Sequence, residues 1–271
     1  MKVFKITWKE LKASRKGIII YTSIMAIFYI WFTSFWDPVF FQQMADLLKN
    51  YPEIIRQMVG EYYSLTKFGG FLNIYLLSMS WFFFGIYFIL KASQDIPKEI
   101  DNKTIDLMLS KPINRWELSL GKFLFHIFGA CIVLGGVYIA TIIAAFIFPN
   151  VNLSEVNFTE IGVAFLVVLL FNLALISTAF FFSTFKNPKM ALVLSMGVII
   201  FLYVVGQFWK SFDESIQNIK YISIFYYSDM SNLLVNSNWE LVPLKISFLS
   251  IYSIALTVGS VIIFNKRDIP V

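Results

Sequence analysis

The chain has 271 residues, of which 58% are hydrophobic and 14% are charged, and its net charge is +5. Soluble domains carry about 25% charged residues, so the composition excludes an ordinary soluble protein and indicates an integral membrane protein. The single cysteine, Cys131, excludes a disulfide within the chain.

Six apolar runs are each long enough to cross a bilayer as a helix, which takes roughly 20 residues. None contains Asp, Glu, Lys or Arg, apart from Lys245 at the edge of the last run. We therefore predict an all-α integral membrane protein that forms a single transmembrane domain over residues 1–271. The predicted spans are about 18–36, 71–90, 123–148, 161–185, 190–209 and 245–264.

Residues 1–17 carry basic and apolar positions at helical spacing. These two sets are Lys5, Lys9, Lys12 and Lys16, and Phe4, Trp8 and Leu11. The pattern predicts an N-terminal amphipathic interfacial helix that lies among the lipid headgroups before the first span. Such a helix would act as an elbow that positions the first span, or it would serve only as a topology anchor.

The segments between the spans indicate the orientation of the chain. With the N-terminus inside, the inside segments hold sixteen Lys and Arg and the outside segments hold six. The positive-inside rule then predicts that both termini are cytoplasmic, in a multi-pass protein of a prokaryotic cell membrane. The net positive charge is explained by anionic headgroups beside this face, so we expect the lipid bilayer and no nucleic acid as its partner.

The most densely charged segment is the predicted cytosolic loop 91–122, with six Lys or Arg and five Asp or Glu. The dipeptide Ile96-Pro97 is predicted to end the extension of the second span. Beyond it, Ile105, Met108 and Leu109 share one face of a short predicted helix.

This short helix is predicted to stop at Pro112, because the residue before a proline is driven out of the helical region. Asn114 and Glu117 have the spacing of a capping box, which predicts a new helix leading into the third span. A short surface helix of this kind can dock in the groove of a soluble partner. The alternative is a solvated connector.

Two further segments are predicted to lie outside, at 37–70 and 210–244. The first is aromatic and polar, which favours short interfacial helices. The second contains the apolar patch 221–227, which is too short to cross a membrane. It is interpreted either as a re-entrant or interfacial segment or as part of an aromatic belt.

Several kinds of chemistry are excluded by what the sequence lacks. It has no G-x-x-x-x-G-K-[ST] phosphate loop, and one histidine and one cysteine cannot supply a zinc site. The spans also lack the ionisable groups that ion-coupled carriers use. We interpret His126 as an interfacial or packing residue, and we expect that the chain is not an enzyme. If this protein moves a solute against its gradient, the energy must be supplied by another polypeptide.

The stretch 99–122 resembles the coupling-loop signature of ABC-2 type permeases, in which an acidic residue is followed by G/K-T-[IL]-[ED]-x-[LM]-[LM]-[ST]-x-P-[IV]-x-R and a G-K pair. Residues 221–225 are similar to the external segment that the family has before its last span, although Ile224 stands where proline is frequent. Residues 264–269 are similar to its terminus F-x-[KR]-[KR]-D-[IL].

The resemblance implies the transmembrane half of an ATP-driven transporter, usually an exporter, with a cytosolic coupling helix between spans 2 and 3. Two halves, identical or related, would associate with two copies of a separate ABC ATPase subunit. ATP and Mg would be bound by that ATPase, so no cofactor is expected in this chain. The implied ATPase-coupling contacts are Glu99, Thr104, Asp106, Leu109, Lys111, Pro112 and Arg115.

The resemblance also implies that spans 1, 2 and 5 line the passage, and the aromatic, uncharged interior favours a hydrophobic or amphipathic cargo such as a peptide, a lipid-like molecule or a drug. Two alternatives remain from other classes. The chain could be a passive channel, or a membrane anchor or regulatory subunit of a signalling complex. An intramembrane hydrolase is disfavoured by the single histidine.

Overall fold

The computed structural model describes residues 2–48, 62–102, 113–185, 187–209 and 212–266, and within these ranges it contains helices and no strand. In chain order the helices are α1 (Lys2–Thr33), α2 (Pro38–Leu48), α3 (Phe68–Asp101), α4 (Arg115–Ile147), α5 (Phe158–Phe182), α6 (Pro188–Phe208), α7 (Ile224–Ser228), α8 (Ser231–Asn236) and α9 (Val242–Lys266). Short 3₁₀ turns lie at Tyr62–Thr66, Leu153–Glu155 and Glu214–Ile222.

The predicted fold class, an all-α membrane protein, is confirmed. Among the described residues, six helices are long and apolar enough to cross a membrane, namely α1, α3, α4, α5, α6 and α9. Asparagines begin several of them: the Oδ1 atom of Asn157 accepts from the amide of Thr159 at 3.1 Å, and that of Asn187 accepts from Lys189 at 2.9 Å. These bonds satisfy amides that a helix leaves unpaired in its first turn.

Helix α1 differs from the prediction, because the N-terminal basic segment and the first span form one unbroken helix from Lys2 to Thr33. At 1.5 Å per residue, 32 residues extend about 48 Å, well beyond the roughly 30 Å of hydrocarbon. The basic half of α1 is therefore a direct extension of the span. The helix continues without a break through Gly17.

Helix α3 corrects the expectation that Ile96-Pro97 ends the cytosolic extension of the second span, because Pro97 lies inside the helix, which continues to Asp101. Proline has no amide hydrogen and therefore cannot form the hydrogen bond to the carbonyl four residues earlier. Ile96 is only 1% exposed, and Pro97 is buried as well. The packing of these two residues against the bundle offsets the lost hydrogen bond.

The first part of α3 is irregular, with π-helical turns at Leu72–Leu77 and Trp81–Gly85. Such turns change the hydrogen-bonding register and free carbonyl groups that need other donors. Two tyrosines of α1 supply them: the hydroxyl of Tyr29 donates to the carbonyl of Leu76 at 3.0 Å, and the hydroxyl of Tyr21 donates to that of Phe83. Helix α1 thereby holds the irregular part of α3 in place.

Helix α5 is the centre of the bundle and packs against α3, α4, α6 and α9, whereas α1 packs mainly along α4. In the apolar window of α5, 72% of the residues are buried inside the protein, compared with 17% for α1. Hydroxyl groups join α5 to α9, since the Thr178 and Tyr252 oxygens lie 2.9 Å apart. The outer face of α1 is therefore exposed to the surroundings of the protein.

Some residues of the apolar patch 221–227 are buried in the bundle, and others are exposed. Ser223 caps the short helix α7, accepting from the amide of Phe225 at 3.1 Å and donating to the carbonyl of Leu202 at 2.5 Å. Ile224 and Phe225 are buried, while Tyr221 remains exposed. The patch therefore packs largely against α5 and α6. A segment too short to cross a membrane must be covered by protein, because its backbone polar groups cannot be exposed to lipid.

Candidate functional site

Five ionisable side chains meet where α3 ends and α4 begins. We call this cluster the charged foot; its members are Glu10 of α1, Asp95 and Glu99 of α3, and Lys122 and His126 of α4. We call the end of the bundle that contains this cluster the charged end. The other end, formed by α7, α8 and the start of α9, is the opposite end.

Lys122 joins three helices. Its Nζ lies 2.7 Å from Oε1 of Glu99 and 3.9 Å from Oε1 of Glu10, and its side chain is 4% exposed. A buried charge is tolerated only when it is paired and hydrogen-bonded. Lys122 therefore requires both α1 and α3 to stay beside α4.

His126 forms the second pair of the foot. Its Nε2 lies 2.5 Å from Oδ2 of Asp95, and its side chain is 2% exposed. The imidazole also packs beside the rings of Phe125 and Phe180. The packing role predicted for His126 is thus accompanied by a hydrogen bond to α3 that the sequence analysis did not anticipate.

Next to Lys122, α1 and α4 approach closely because Gly121 has no side chain. The hydroxyl of Thr7 donates to the carbonyl of Gly121 at 2.9 Å. A Cβ added at Gly121 would lie 2.9 Å from the Cβ of Ile6, which is too near for real side chains. This contact fixes the basic half of α1 against the foot.

The start of α4 is set by the predicted capping box, which is confirmed. Asn114 is the N-cap, and its amide donates to Oε2 of Glu117 at 2.8 Å. The ring of Trp116, two residues beyond the cap, is 42% exposed. The second half of the loop therefore rejoins the bundle at a defined point, beside an exposed aromatic side chain.

The structure places two of the seven predicted coupling residues. Glu99 is directed into the charged foot, toward Lys122, and Arg115 is the first residue of α4, partly exposed. The other five lie outside the described residues, as does the predicted short helix around them; they are Thr104, Asp106, Leu109, Lys111 and Pro112. The coupling role of all seven stays a prediction.

A signal for the charged foot was present in the sequence. Asp95 and Glu99 are four residues apart, and so are Lys122 and His126. Residues at this spacing share one face of a helix, so an acidic face at the end of α3 opposes a basic face at the start of α4. Recognising the pairing needed the knowledge that the two faces are turned toward each other.

The opposite end is held together by hydrogen bonds around Asp229 and Met230. The side chain of Asn73 donates to Oδ1 of Asp229 at 2.9 Å and accepts from the amide of Met230 at 3.1 Å. Lys245 donates to the carbonyl of Asp229. Nearby, a cavity of about 400 Å³ is lined by residues that include Trp36, Asn157 and Glu160.

Nothing in the described part of the chain groups three or more His, Cys, Asp or Glu side chains so that they could hold a metal ion. The charged foot has one histidine and three carboxylates, but they are divided between the Asp95–His126 pair and the group around Lys122. Its arrangement is that of charge pairs between helices.

The bundle of six long apolar helices and the charged foot define a polytopic membrane protein with one structured, charged end. The sequence model described as "ABC-2 family transporter protein" matches residues 4–269. The chain therefore belongs to the ABC-2 transporter family, which confirms the resemblance found in its motifs. No curated protein matches the chain.

Proposed function

We propose that this chain is the permease subunit of an ATP-driven exporter, and that a separate ABC ATPase supplies the work by pressing on the segment 103–112. Membership of the ABC-2 transporter family supports an ATPase partner in general. The observation that carries the proposal further is the charged foot, because it connects both ends of this segment to three membrane helices.

The charged foot can transmit a displacement. A movement of the segment 103–112 acts on Asp101 at the end of α3 and on Asn114 at the start of α4. Between these points and the membrane, Lys122 holds α1, α3 and α4 through two carboxylates. Removing one partner from a buried charge pair costs about 3–5 kcal/mol, so the three helix ends move together.

The orientation and the assembly are part of the proposal. We propose that the charged end and both termini face the cytoplasm of a prokaryotic cell, and the excess of Lys and Arg at the charged end supports this orientation. There it is available to a cytosolic ATPase. Two permease halves and two ATPase subunits would form the transporter, with ATP and Mg held by the ATPase.

The cargo we propose is hydrophobic or amphipathic. The apolar runs carry no Asp, Glu, Lys or Arg apart from Lys245, and within the run 161–185 the buried polar side chains are neutral, such as Asn172 and Thr178. A charged cargo would meet no compensating charge along these segments, whereas an apolar one would lose little on leaving water.

The test is co-purification with a P-loop ATPase expressed from the same cells. We expect Asp106→Lys combined with Arg115→Glu to lower the amount of ATPase that co-purifies with the permease, with the permease still recovered in the membrane fraction. The matched control makes the same charge changes at the opposite end, with Glu240→Lys and Lys220→Glu, and should leave association unchanged. Unaltered ATPase recovery from the first variant would contradict the proposed role of the segment 103–112.

A further inference from the structure

A groove lies between α1 and α4 at the level where α1 changes from basic to apolar. It has a volume of about 330 Å³, within the usual range for ligand pockets. The residues of its wall include Trp8, Lys12, Arg15, Ile18, Ile19 and Ile132. None of them belongs to the charged foot or to the predicted coupling residues.

The groove side of α1 is a single helical stripe. Trp8, Lys12, Arg15 and Ile19 follow one another at spacings of four, three and four residues, which places them on one face. Along this face two cationic groups are followed at once by an apolar stretch. With a rise of 1.5 Å per residue, Arg15 and Ile19 are about 6 Å apart along the helix axis.

The two cations are not neutralised within the described chain. Glu10, the one carboxylate of the basic half of α1, is directed to Lys122 in the charged foot. In the described ranges neither Lys12 nor Arg15 has a salt-bridge partner, and both side chains are exposed. Their charges are therefore available to an anionic ligand at the mouth of the groove.

The floor and the far wall of the groove are aliphatic. Ile18 is 5% exposed and packs toward α4, while Ile19 and Ile132 are 60% and 47% exposed and face outward. Because α1 is the least buried of the six long helices, the groove opens sideways, toward the surroundings that an apolar helix requires. That opening suits a molecule that itself lies in the membrane.

We infer that the groove binds one anionic phospholipid of the leaflet nearest the N-terminus. Its phosphate lies between Lys12 and Arg15, and the upper part of one acyl chain lies along Ile18, Ile19 and Ile132. Trp8 covers the headgroup side, where indole rings are favoured at the membrane surface. The inference does not depend on the ATPase or on the direction of transport.

Bound lipid at this groove would act on the charged foot through α1. Thr7, one residue before Trp8, donates to the carbonyl of Gly121, which precedes Lys122. A lipid that fixes the stripe on α1 thus also fixes the helix that supplies Glu10 to the foot. The lipid composition of that leaflet would in this way influence how firmly the foot is held.

The experiment measures lipid binding to the purified full-length chain in detergent by native mass spectrometry, with phosphatidylglycerol and phosphatidylcholine of the same acyl chains as probes. We expect tighter binding of phosphatidylglycerol, and a loss on the order of tenfold or more when Lys12→Gln is combined with Arg15→Gln, since each basic group contributes to headgroup attraction. The matched control, Lys9→Gln with Lys16→Gln, removes two charges that do not line the groove and should change the affinity by less than about twofold.

Two further arms distinguish a site from a charged surface. Ile132→Trp fills the apolar part of the groove and should weaken the binding of phosphatidylglycerol with the charges unchanged. Glycerol phosphate, which has the anion and no acyl chain, should not compete. Equal losses from the two charge pairs, equal affinity for both lipids, or competition by glycerol phosphate would each overturn the inference.

Discussion

The two ends of the bundle are held together by different interactions. At the charged end, three helices meet around Lys122, whose side chain is 4% exposed and whose partners are carboxylates. At the opposite end, Asn73 donates to the carboxylate of Asp229 at 2.9 Å and accepts from the amide of Met230 at 3.1 Å, and the buried Lys245 donates to the carbonyl of Asp229. One end depends on ion pairs between helices, and the other depends on single hydrogen bonds made by Asn73 and Lys245.

This contrast indicates that the charged end can respond as a unit. A single hydrogen bond contributes about 1 kcal/mol net, or about 1.5–3 kcal/mol when one partner is charged, and its loss is local because it joins only two groups. A buried charge left without its partner costs about 3–5 kcal/mol, so the helices around Lys122 must move together or separate completely. We expect substitutions at the two ends to reveal this contrast.

The largest effect is expected from Lys122→Met. The substitution leaves Glu99 and Glu10 facing each other without their cation and should lower the free energy of unfolding by about 3–5 kcal/mol. The measurement is denaturant unfolding of the purified protein in detergent. Lys98→Met, an exposed lysine of the same region, is the control and should change stability by less than about 0.5 kcal/mol. Equal changes in the free energy of unfolding for the two variants would show that the charged foot does not stabilise the protein more than an exposed lysine does.

A smaller loss is expected from Gly70→Ala near the opposite end. A Cβ at Gly70 would overlap the carbonyl oxygen of Ser64, which is backbone and cannot rotate away. The displaced turn should cost about 3 kcal/mol, measured as a shift of the unfolding midpoint. Gly17→Ala is the control, because a Cβ there meets no atom within 4 Å and alanine favours the helix. A Gly70 variant as stable as the Gly17 variant would contradict the close packing.

Asn73→Leu should have a still smaller effect, of about 2 kcal/mol, because it leaves the amide of Met230 buried without its acceptor. Hydrogen exchange at Met230 should become faster in the variant, which separates a lost bond from general unfolding. Asn236→Leu, at an exposed position of α8, should change neither quantity. If Met230 exchanges at the original rate in the Asn73 variant, the bond is not what holds this segment.

The smallest effect is expected from Tyr252→Phe in the middle of the bundle, between the two ends. It removes the hydrogen bond between the hydroxyls of Tyr252 and Thr178, and such bonds between membrane helices contribute about 0.6 kcal/mol on average. Thermal unfolding in detergent should resolve the change against Tyr138→Phe, whose hydroxyl has no hydrogen bond within the described ranges. A loss above about 2 kcal/mol would place the middle of the bundle on a par with its ends.

The sequence predicted the six long apolar helices because hydropathy and length are local properties of a segment. It also predicted the cap at Asn114, whose two partners are three residues apart. It failed at Pro97, where burial of Ile96 and Pro97 maintains a helix that the local rule would end. Tertiary packing decided that position, and packing is not visible in a short stretch of sequence.

The charged foot was likewise predictable from the sequence only in part. The spacing of Asp95 and Glu99, and of Lys122 and His126, was available from the sequence. Which residues face each other across two helices depends on how the helices are rotated, and that is fixed by contacts such as Thr7 with Gly121. The interpretation of His126 as a packing residue was therefore incomplete, and the partner of Glu99 could not be foreseen.

We propose that a separate ATPase acts on the segment 103–112. Photo-crosslinking in cells from a photoreactive residue at Leu109 tests this contact, compared with crosslinking from Ile216, an exposed position at the opposite end. We predict that Leu109 crosslinks to a soluble P-loop ATPase and that Ile216 does not. The claim is contradicted if Leu109 gives no ATPase adduct, or if both positions give it equally.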